Sequence, residues 1–403
     1  MRLNDQTLRI EEKNGSVAKK FLAISVIGVL LSFIGYYNDP RFFHSYLVAY
    51  LFFITLSLGG LFFVLAHHMF GADWSVSLRR IAENLMLLAP LMLILSVPIV
   101  LNFDNIYQWT DSEFWKYHHV LEPKKAYLNK NFFFIRMSIY FTAWFLLIAR
   151  LYNLSINQRT EEDKAKMKRT SAAGMAIFAI TISFFGFDVM MSLDPVWFST
   201  MFGVYIFAGC FLSATAFVTL ISLFLRSKGI LVDEINDKHY MNLGKVLFAF
   251  TVFWAYIGGF QYYIIWYANL PEEIYWFMQR WDGPWKYLSL ALIFGHFVIP
   301  FSILIFNRLK RNRAVLAVMS AFVLLMHWID MYWIVMPNYF RDSHGYIKHS
   351  ELESLSILSW TDLSLVLAFG GVFMAIFWRV FKTKPIVASN DPEYQQSISK
   401  EES

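Results

Sequence analysis

The sequence predicts an all-α integral membrane protein of ten transmembrane helices, on three observations. Apolar runs long enough to cross a bilayer recur ten times, at 21–37, 43–70, 81–102, 131–151, 170–191, 197–225, 244–268, 285–306, 315–336 and 359–381; about 20 apolar residues rising 1.5 Å each cover the roughly 30 Å hydrocarbon core. Apolar residues make up 57 % of the chain and charged residues 16 %, a composition beyond what one soluble core requires. Lys and Arg are also unevenly shared between alternate connections. Of the 35, 25 lie in or beside the segments on one side and 9 on the other, with Arg136 inside a run. By the positive-inside rule the richer side is cytoplasmic, which places both termini there.

Each run has its own justification. Run 21–37 follows Lys19-Lys20 and lacks a small-residue cleavage site after it, so it reads as an uncleaved first span rather than a signal peptide. Run 43–70 contains no Lys, Arg, Asp or Glu but carries His44 at one end and His67-His68 at the other. Run 81–102 holds Glu83 in its first turn, and Pro90 and Pro98 predict kinks in it. Runs 131–151 and 170–191 carry Arg136 and Asp188, and run 197–225 carries Cys210. Run 244–268 has Gln261, run 285–306 has His296 and a third kinking residue, Pro300, and run 315–336 has His327 and Asp330. Run 359–381 is followed by a polar tail, 383–403, whose composition predicts disorder; residues 1–20 form a charged cytoplasmic segment and 21–382 the membrane domain.

Several function classes drop out. The pI near 9 does not indicate nucleic acid, because the basic residues are spread over alternate loops. One cysteine cannot form an internal disulfide, hold an iron–sulfur cluster or attach a c-type haem. There is no Gly-rich phosphate loop. The outer connections 104–130, 269–284 and 337–358 are rich in Trp, Tyr and Pro, and nine of fourteen tryptophans fall in or beside them: Trp109, Trp115, Trp197, Trp266, Trp276, Trp281, Trp285, Trp333 and Trp360. An interfacial aromatic belt and a docking face for a protein partner both fit that pattern.

A charge near the bilayer centre costs on the order of 3 kcal/mol, so each ionisable residue inside a run needs a partner or a task. His44, Arg136 and Asp188 enter the outer leaflet. His67, His68 and Glu83 lie near the cytoplasmic side, where the ten-residue connection makes runs two and three neighbours and allows His68 to approach Glu83. His296 and His327 match in depth, roughly 16 and 14 Å from the outer ends of their runs at the helical rise. Asp330 follows His327 by three residues on one helix face, and Gln261 lies in the outer half of run seven. Three readings fit this second group: ligands of a b-type haem, a structural hydrogen-bond network, or a proton-carrying or quinone-adjacent site. Arg136 and Asp188 fit an ion pair that fixes two helices or keeps Asp188 ionised.

The strings GFDVMMSLDPVW (186–197), QYYIIWYANLPEEIYWF (261–277), GHFVIPF (295–301) and HWIDMYWIVMP (327–337) resemble the NrfD/PsrC-like membrane subunits. More closely they resemble the ActF type, the smaller of two such subunits in bacterial alternative complex III. The resemblance implies two four-helix bundles, about 43–191 and 197–336, with the first and tenth helices peripheral. It implies a subunit without haem or iron–sulfur cluster in the cytoplasmic membrane of a bacterium, a non-redox part of a quinol:cytochrome c oxidoreductase. Its implied partners are a sister NrfD-like quinol-binding subunit, an iron–sulfur protein and periplasmic multihaem cytochromes c, in a lipid setting. Menaquinol or another quinol is the implied substrate of the complex, with haems and clusters on other subunits.

On this reading the chain supplies assembly surface and a proton path through His68, Glu83, Arg136, Asp188, Gln261, His296, His327 and Asp330. A first alternative is a direct quinol-binding subunit using His44 with Asp188. A second, from another class, is a secondary transporter acting alone, although no inverted repeat is evident. The orientation is testable. In a Cys210→Ser background, single cysteines at Ser112 and Ser343 should react with an impermeant thiol reagent in intact cells; labelling only after lysis would reverse the assignment.

Overall fold

The computed structural model describes residues 2–4, 9–11, 16–340, 358–388, 391 and 394. Ten helices are long and apolar enough to cross a membrane. We number them span 1 (Ser16–Asn38), span 2 (Phe42–Phe70), span 3 (Arg79–Leu101), span 4 (Lys130–Asn157), span 5 (Glu161–Leu193), span 6 (Phe202–Ser227), span 7 (Asp237–Ala268), span 8 (Trp285–Leu304), span 9 (Arg313–Asn338) and span 10 (Trp360–Phe381). An even number of crossings puts both ends on one face, called here the inner face. Near the N-terminus Arg2–Asn4 pairs antiparallel with Arg9–Glu11.

Polar caps set where the spans begin, which is why several outrun their apolar runs. The Thr160 hydroxyl accepts from Asp163 N–H and starts span 5 nine residues before the apolar stretch. Asn236 accepts from the N–H groups of Lys238 and His239 and starts span 7 at Asp237 rather than 244. Ser359 with Asp362 does the same for span 10. Span 2 ends at Gly71, whose φ of 64° closes the helix in the left-handed conformation. Span 3 is broken into Arg79–Met86, Ala89–Leu95 and Val97–Leu101, since Pro90 and Pro98 each remove a backbone donor. Span 8, with Pro300, contains a π-helical segment at Leu292–Val298.

Spans 2, 3, 4 and 5 pack in a ring, and spans 6, 7, 8 and 9 form a second one. The rings meet through span 2 against spans 6 and 9, and span 5 against span 6. Span 2 is therefore the axis of the molecule, with 94 % of its most apolar window buried against 17 % for span 1. Span 1 stands outside both rings and packs along span 10. Small residues allow that approach: a Cβ on Gly28 would lie 2.7 Å from Ala368 Cα. Ser25 Oγ donates to Ala368 O at 2.8 Å, and the Ser32 and Ser364 hydroxyls meet at 3.0 Å.

Two connections outside the spans contribute to the core. The outer connection 104–130 is folded, with helices at Phe103–Ile106 and Ser112–Tyr117. Of the nine outer tryptophans, Trp109, Trp115, Trp197, Trp276 and Trp285 are buried, so most of this layer is a core that closes the outer ends of the rings. Part of the tail packs against the membrane domain. Ile386, Val387 and Ala388 are buried, and Asp391 accepts from Arg79 Nη1 at 2.5 Å and Gln158 Nε2 at 3.0 Å. Arg79 needs a buried anion, and composition does not reveal that the tail supplies one. Residues 341–357 of the third outer connection, and 389–390, 392–393 and 395–403 of the tail, lie outside the described residues. The close approach of spans 1 and 10 gives a stability prediction. Gly28→Leu should lower the stability of the purified protein in thermal unfolding by about 1–3 kcal/mol through overpacking. Ile27→Val, on the exposed face of span 1, should change it by less than about 0.5 kcal/mol.

Candidate functional site

Three clusters of buried ionisable groups hold most of the residues that the sequence singles out. In the outer half of the first ring, span 5 departs from α-geometry at a π-helical turn, Gly186–Met190, that carries Asp188. Such turns re-aim side chains and recur at functional sites. Asp188 is fully buried, and Arg136 of span 4 binds it with two parallel bonds of 2.9 Å, Nε to Oδ2 and Nη2 to Oδ1. Tyr140 OH donates to the same carboxylate at 2.8 Å. The remaining Arg136 nitrogen, Nη1, donates to Tyr127 O at 3.0 Å, and its guanidinium carbon lies 3.8 Å from the Tyr127 ring centroid. Tyr107, from the outer connection, donates its hydroxyl to Val189 O at 2.9 Å. Burial, aided by Asp188, holds the Tyr107 phenol well above its usual pKa, so it stays a donor. Against this cluster lies an apolar cavity of about 330 Å³, lined by Tyr50, Tyr107, Phe133, Phe141, Phe185 and Val189 among others.

The second cluster occupies the middle of the second ring. Asp330 of span 9 is buried and accepts from Tyr205 OH of span 6 on Oδ1 and from Trp254 Nε1 of span 7 on Oδ2 at 3.2 Å. The Trp254 indole stacks on the His296 ring with centroids 4.0 Å apart. His296 lies in the π-helical segment of span 8, is fully buried, and neither ring nitrogen has a hydrogen-bond partner among the described residues. His327 turns the other way. Its Nε2 meets Thr55 Oγ1 of span 2 at 2.9 Å, across the junction of the rings, and its Nδ1 has no partner among the described residues. A Cβ on Gly209 would stand 3.0 Å from His327 Cε1, so span 6 needs a glycine there to admit the ring. The two histidine rings lean on different helices, His296 on Trp254 of span 7 and His327 on Thr55 of span 2.

Glu83 marks the third cluster, near the inner face. It is fully buried, accepts from Arg80 Nη1 at 2.6 Å, and accepts from Ser155 Oγ of span 4 at 2.5 Å. Arg80 Nη2 also reaches Ser155 O at 3.2 Å. His67 Nδ1 donates to Phe63 O at 2.7 Å. His68 is buried nearby with its Nε2 unpartnered among the described residues, and Glu83 pairs with Arg80 and Ser155 rather than with His68.

Above Asp330, toward the outer face, sits a closure that sequence reasoning missed. Arg280, within the outer connection 269–284, is fully buried, on the short helix Pro271–Trp281. It donates to Trp276 O at 2.9 Å, Trp333 O at 3.2 Å and Ile334 O at 3.1 Å. The last two carbonyls belong to the outer end of span 9, the negative end of its dipole. Its guanidinium carbon lies 3.4 Å from the Trp276 ring centroid. Trp276 in turn stacks on Trp197 at 4.3 Å and 13°. Lys124 seals the adjacent turn by donating to Pro195 O at 2.9 Å, and burial lowers its ammonium pKa against the pull of Asp194.

The structure thus joins Arg136 with Asp188 and links Asp330 to His296 through Trp254. Gln261 is buried but makes no hydrogen bond to the Asp330 group among the described residues. His44 packs its ring on Tyr339 with centroids 5.4 Å apart, while the Asp188 oxygens are taken by Arg136 and Tyr140, so the expected His44–Asp188 pair does not form. Tyr205, Trp254, Tyr140, Thr55 and Arg280 complete the clusters without having been singled out. No group of three His, Cys, Asp or Glu converges as a metal site among the described residues.

Ten apolar spans among the described residues, with ion pairs and carboxylates held between them, define a multi-pass integral membrane protein. The chain belongs to the NrfD family: the family described as polysulphide reductase NrfD matches residues 36–341, which contain spans 2 to 9. Members are membrane subunits of quinol-linked oxidoreductases and associate with iron–sulfur subunits. Comparison with curated proteins gives no match. The Arg136–Asp188 pair makes its own prediction. Asp188→Asn leaves a buried guanidinium without its counter-ion and should cost about 3–5 kcal/mol in thermal unfolding, whereas Arg136→Met with Asp188→Leu should recover most of that loss. Equal losses in both variants would show that the pair itself is not the source.

Proposed function

We propose that the chain is the ActF-type subunit of a bacterial alternative complex III, a cofactor-free part of a quinol:cytochrome c oxidoreductase. It would sit in the cytoplasmic membrane with the inner face cytoplasmic. On this reading it contributes assembly surface and a proton-conducting path, and docks a sister NrfD-like subunit, an iron–sulfur protein and periplasmic multihaem cytochromes. The observation that carries the conducting role is Asp330, a carboxylate in the outer half of span 9 held by two neutral donors, Tyr205 and Trp254, with no cation on either oxygen among the described residues. With neutral donors rather than an ion pair on its oxygens, this carboxylate is the group on this reading that takes and releases the proton. Glu83 with His68 would serve the cytoplasmic side. Asp188, clamped by Arg136 and Tyr140, would serve the periplasmic side.

A second reading has one observation in its favour. The cavity of about 330 Å³ beside the Asp188 turn falls within the size range of ligand pockets, and Tyr107 and Tyr50 on its wall carry hydroxyls that fit a direct quinol site. His44 takes no part in it.

Isosteric variants of the assembled complex separate these readings. Asp330→Asn and Glu83→Gln should slow or uncouple proton release during quinol oxidation while haem and iron contents stay unchanged. Normal turnover and normal proton release in both would sink the conducting role. Loss of quinol affinity in Tyr107→Phe, with coupling intact in the remaining turnover, would favour the direct quinol site.

A further inference from the structure

The surroundings of Asp330 are not symmetric across the membrane. One turn toward the outer face, Arg280 grips Trp333 O and Ile334 O, three and four residues beyond Asp330 on the same helix. Around that cation Trp276 and Trp197 stack, and Trp333 donates its Nε1 to Ser289 Oγ at 2.8 Å. This layer is buried throughout its core, and it places a fixed positive charge where a hydrated proton from the outer face would have to pass. Fixed cations in narrow passages repel protons and other cations.

Toward the inner face the chemistry is the reverse. His296 presents two ring nitrogens without partners and His327 a third. Thr251, three residues inward of Trp254 on span 7 and so on the same helix face, is fully buried with its hydroxyl unpartnered among the described residues. A helical threonine ordinarily returns its hydroxyl to a carbonyl one turn back. Four buried polar atoms of this kind need hydrogen bonds, and a site with several polar partners is where buried water belongs.

We infer that water reaches the Asp330 cluster from the inner face alone, past Thr251 and His296, and that Arg280 with Trp276, Trp197 and Trp333 is the outer closure. Arg280 is then a positioning and barrier residue that keeps Asp330 in exchange with one compartment. The inference rests on the reading of Asp330 as a proton-exchanging group, but its test does not depend on proton release.

The test uses the assembled complex in inverted and right-side-out membrane vesicles, with Thr251→Cys in a Cys210→Ser background. Silver ion, a thiol-reactive cation close to water in size, is added from one face. Blocked thiol is then read as loss of maleimide labelling after denaturation. The Thr251→Cys thiol should be blocked at least roughly tenfold faster from the inner face, as expected of a path closed at one end by a fixed cation. Adding Arg280→Gln should raise the outer-face rate toward the inner one, and Arg280→Lys should not. Equal rates from both faces, a faster outer rate, or no blocking from either face would overturn the inference. If Arg280→Gln fails to assemble, the asymmetry in Thr251→Cys alone decides it. Should Asp330→Asn leave proton release normal while the asymmetry holds, the conducting role fails and the one-sided access stands.

Discussion

Hydrocarbon supplies no hydrogen bonds, so each polar group carried into the bilayer has to find its partners within the protein. The two rings of helices are arranged around that requirement. Arg136 spends its guanidinium on Asp188 and a backbone carbonyl, Arg80 on Glu83 and Ser155, Arg79 on Asp391, and Arg280 on the carbonyl end of span 9. Except for Glu83, which lies three residues from Arg80 on the same helix, each partner comes from a different segment, so these contacts also fix how two pieces of chain sit against each other. The apolar packing of span 2 holds the rings together, but lipid tails are as apolar as leucine. Polar contacts and close approaches of small residues therefore decide which helix faces meet.

The clusters differ in what they are able to do because their counter-charges differ. Asp188 and Glu83 each face an arginine. Asp330 faces only a phenol and an indole. The three sites look alike as acidic residues within apolar runs, and the distinction appears only when the neighbouring helices are in place. Both π-helical segments fall on residues of interest, Asp188 and His296, where the irregular turn changes the direction of a side chain at the cost of regular hydrogen bonding.

The ten spans were legible in the sequence because length and apolarity are local properties. So was the list of suspect residues, since a charge inside an apolar run stands out unaided. Their partners were not legible. Tyr205 lies 125 residues from Asp330 and Thr55 lies 272 from His327, and no periodicity specifies the register of helices so far apart. Tyr205, Trp254 and Trp276 also passed for ordinary membrane aromatics, because a ring that donates one hydrogen bond to a buried carboxylate looks in sequence like one that faces lipid. Arg280 was hidden by its setting in a connection, and Asp391 by its setting in a polar tail. His68 and Glu83 were placed together by loop length alone, which makes helices neighbours without saying which faces meet.

The pairing of span 1 with span 10 bears on how the molecule is made. Ser25 and Ala368, which share a hydrogen bond, are separated by 343 residues. At roughly 5–20 residues per second of synthesis, the first helix waits roughly 20 to 70 s for its partner. During that time it has only lipid for company, and its face of Leu22, Val26, Ile27, Val29, Leu30 and Phe33 is suited to that interval. The spans that carry the buried charges are completed while the first helix stands aside. Span 10 then docks against span 1, so this pair joins only after the two rings between them have been synthesised.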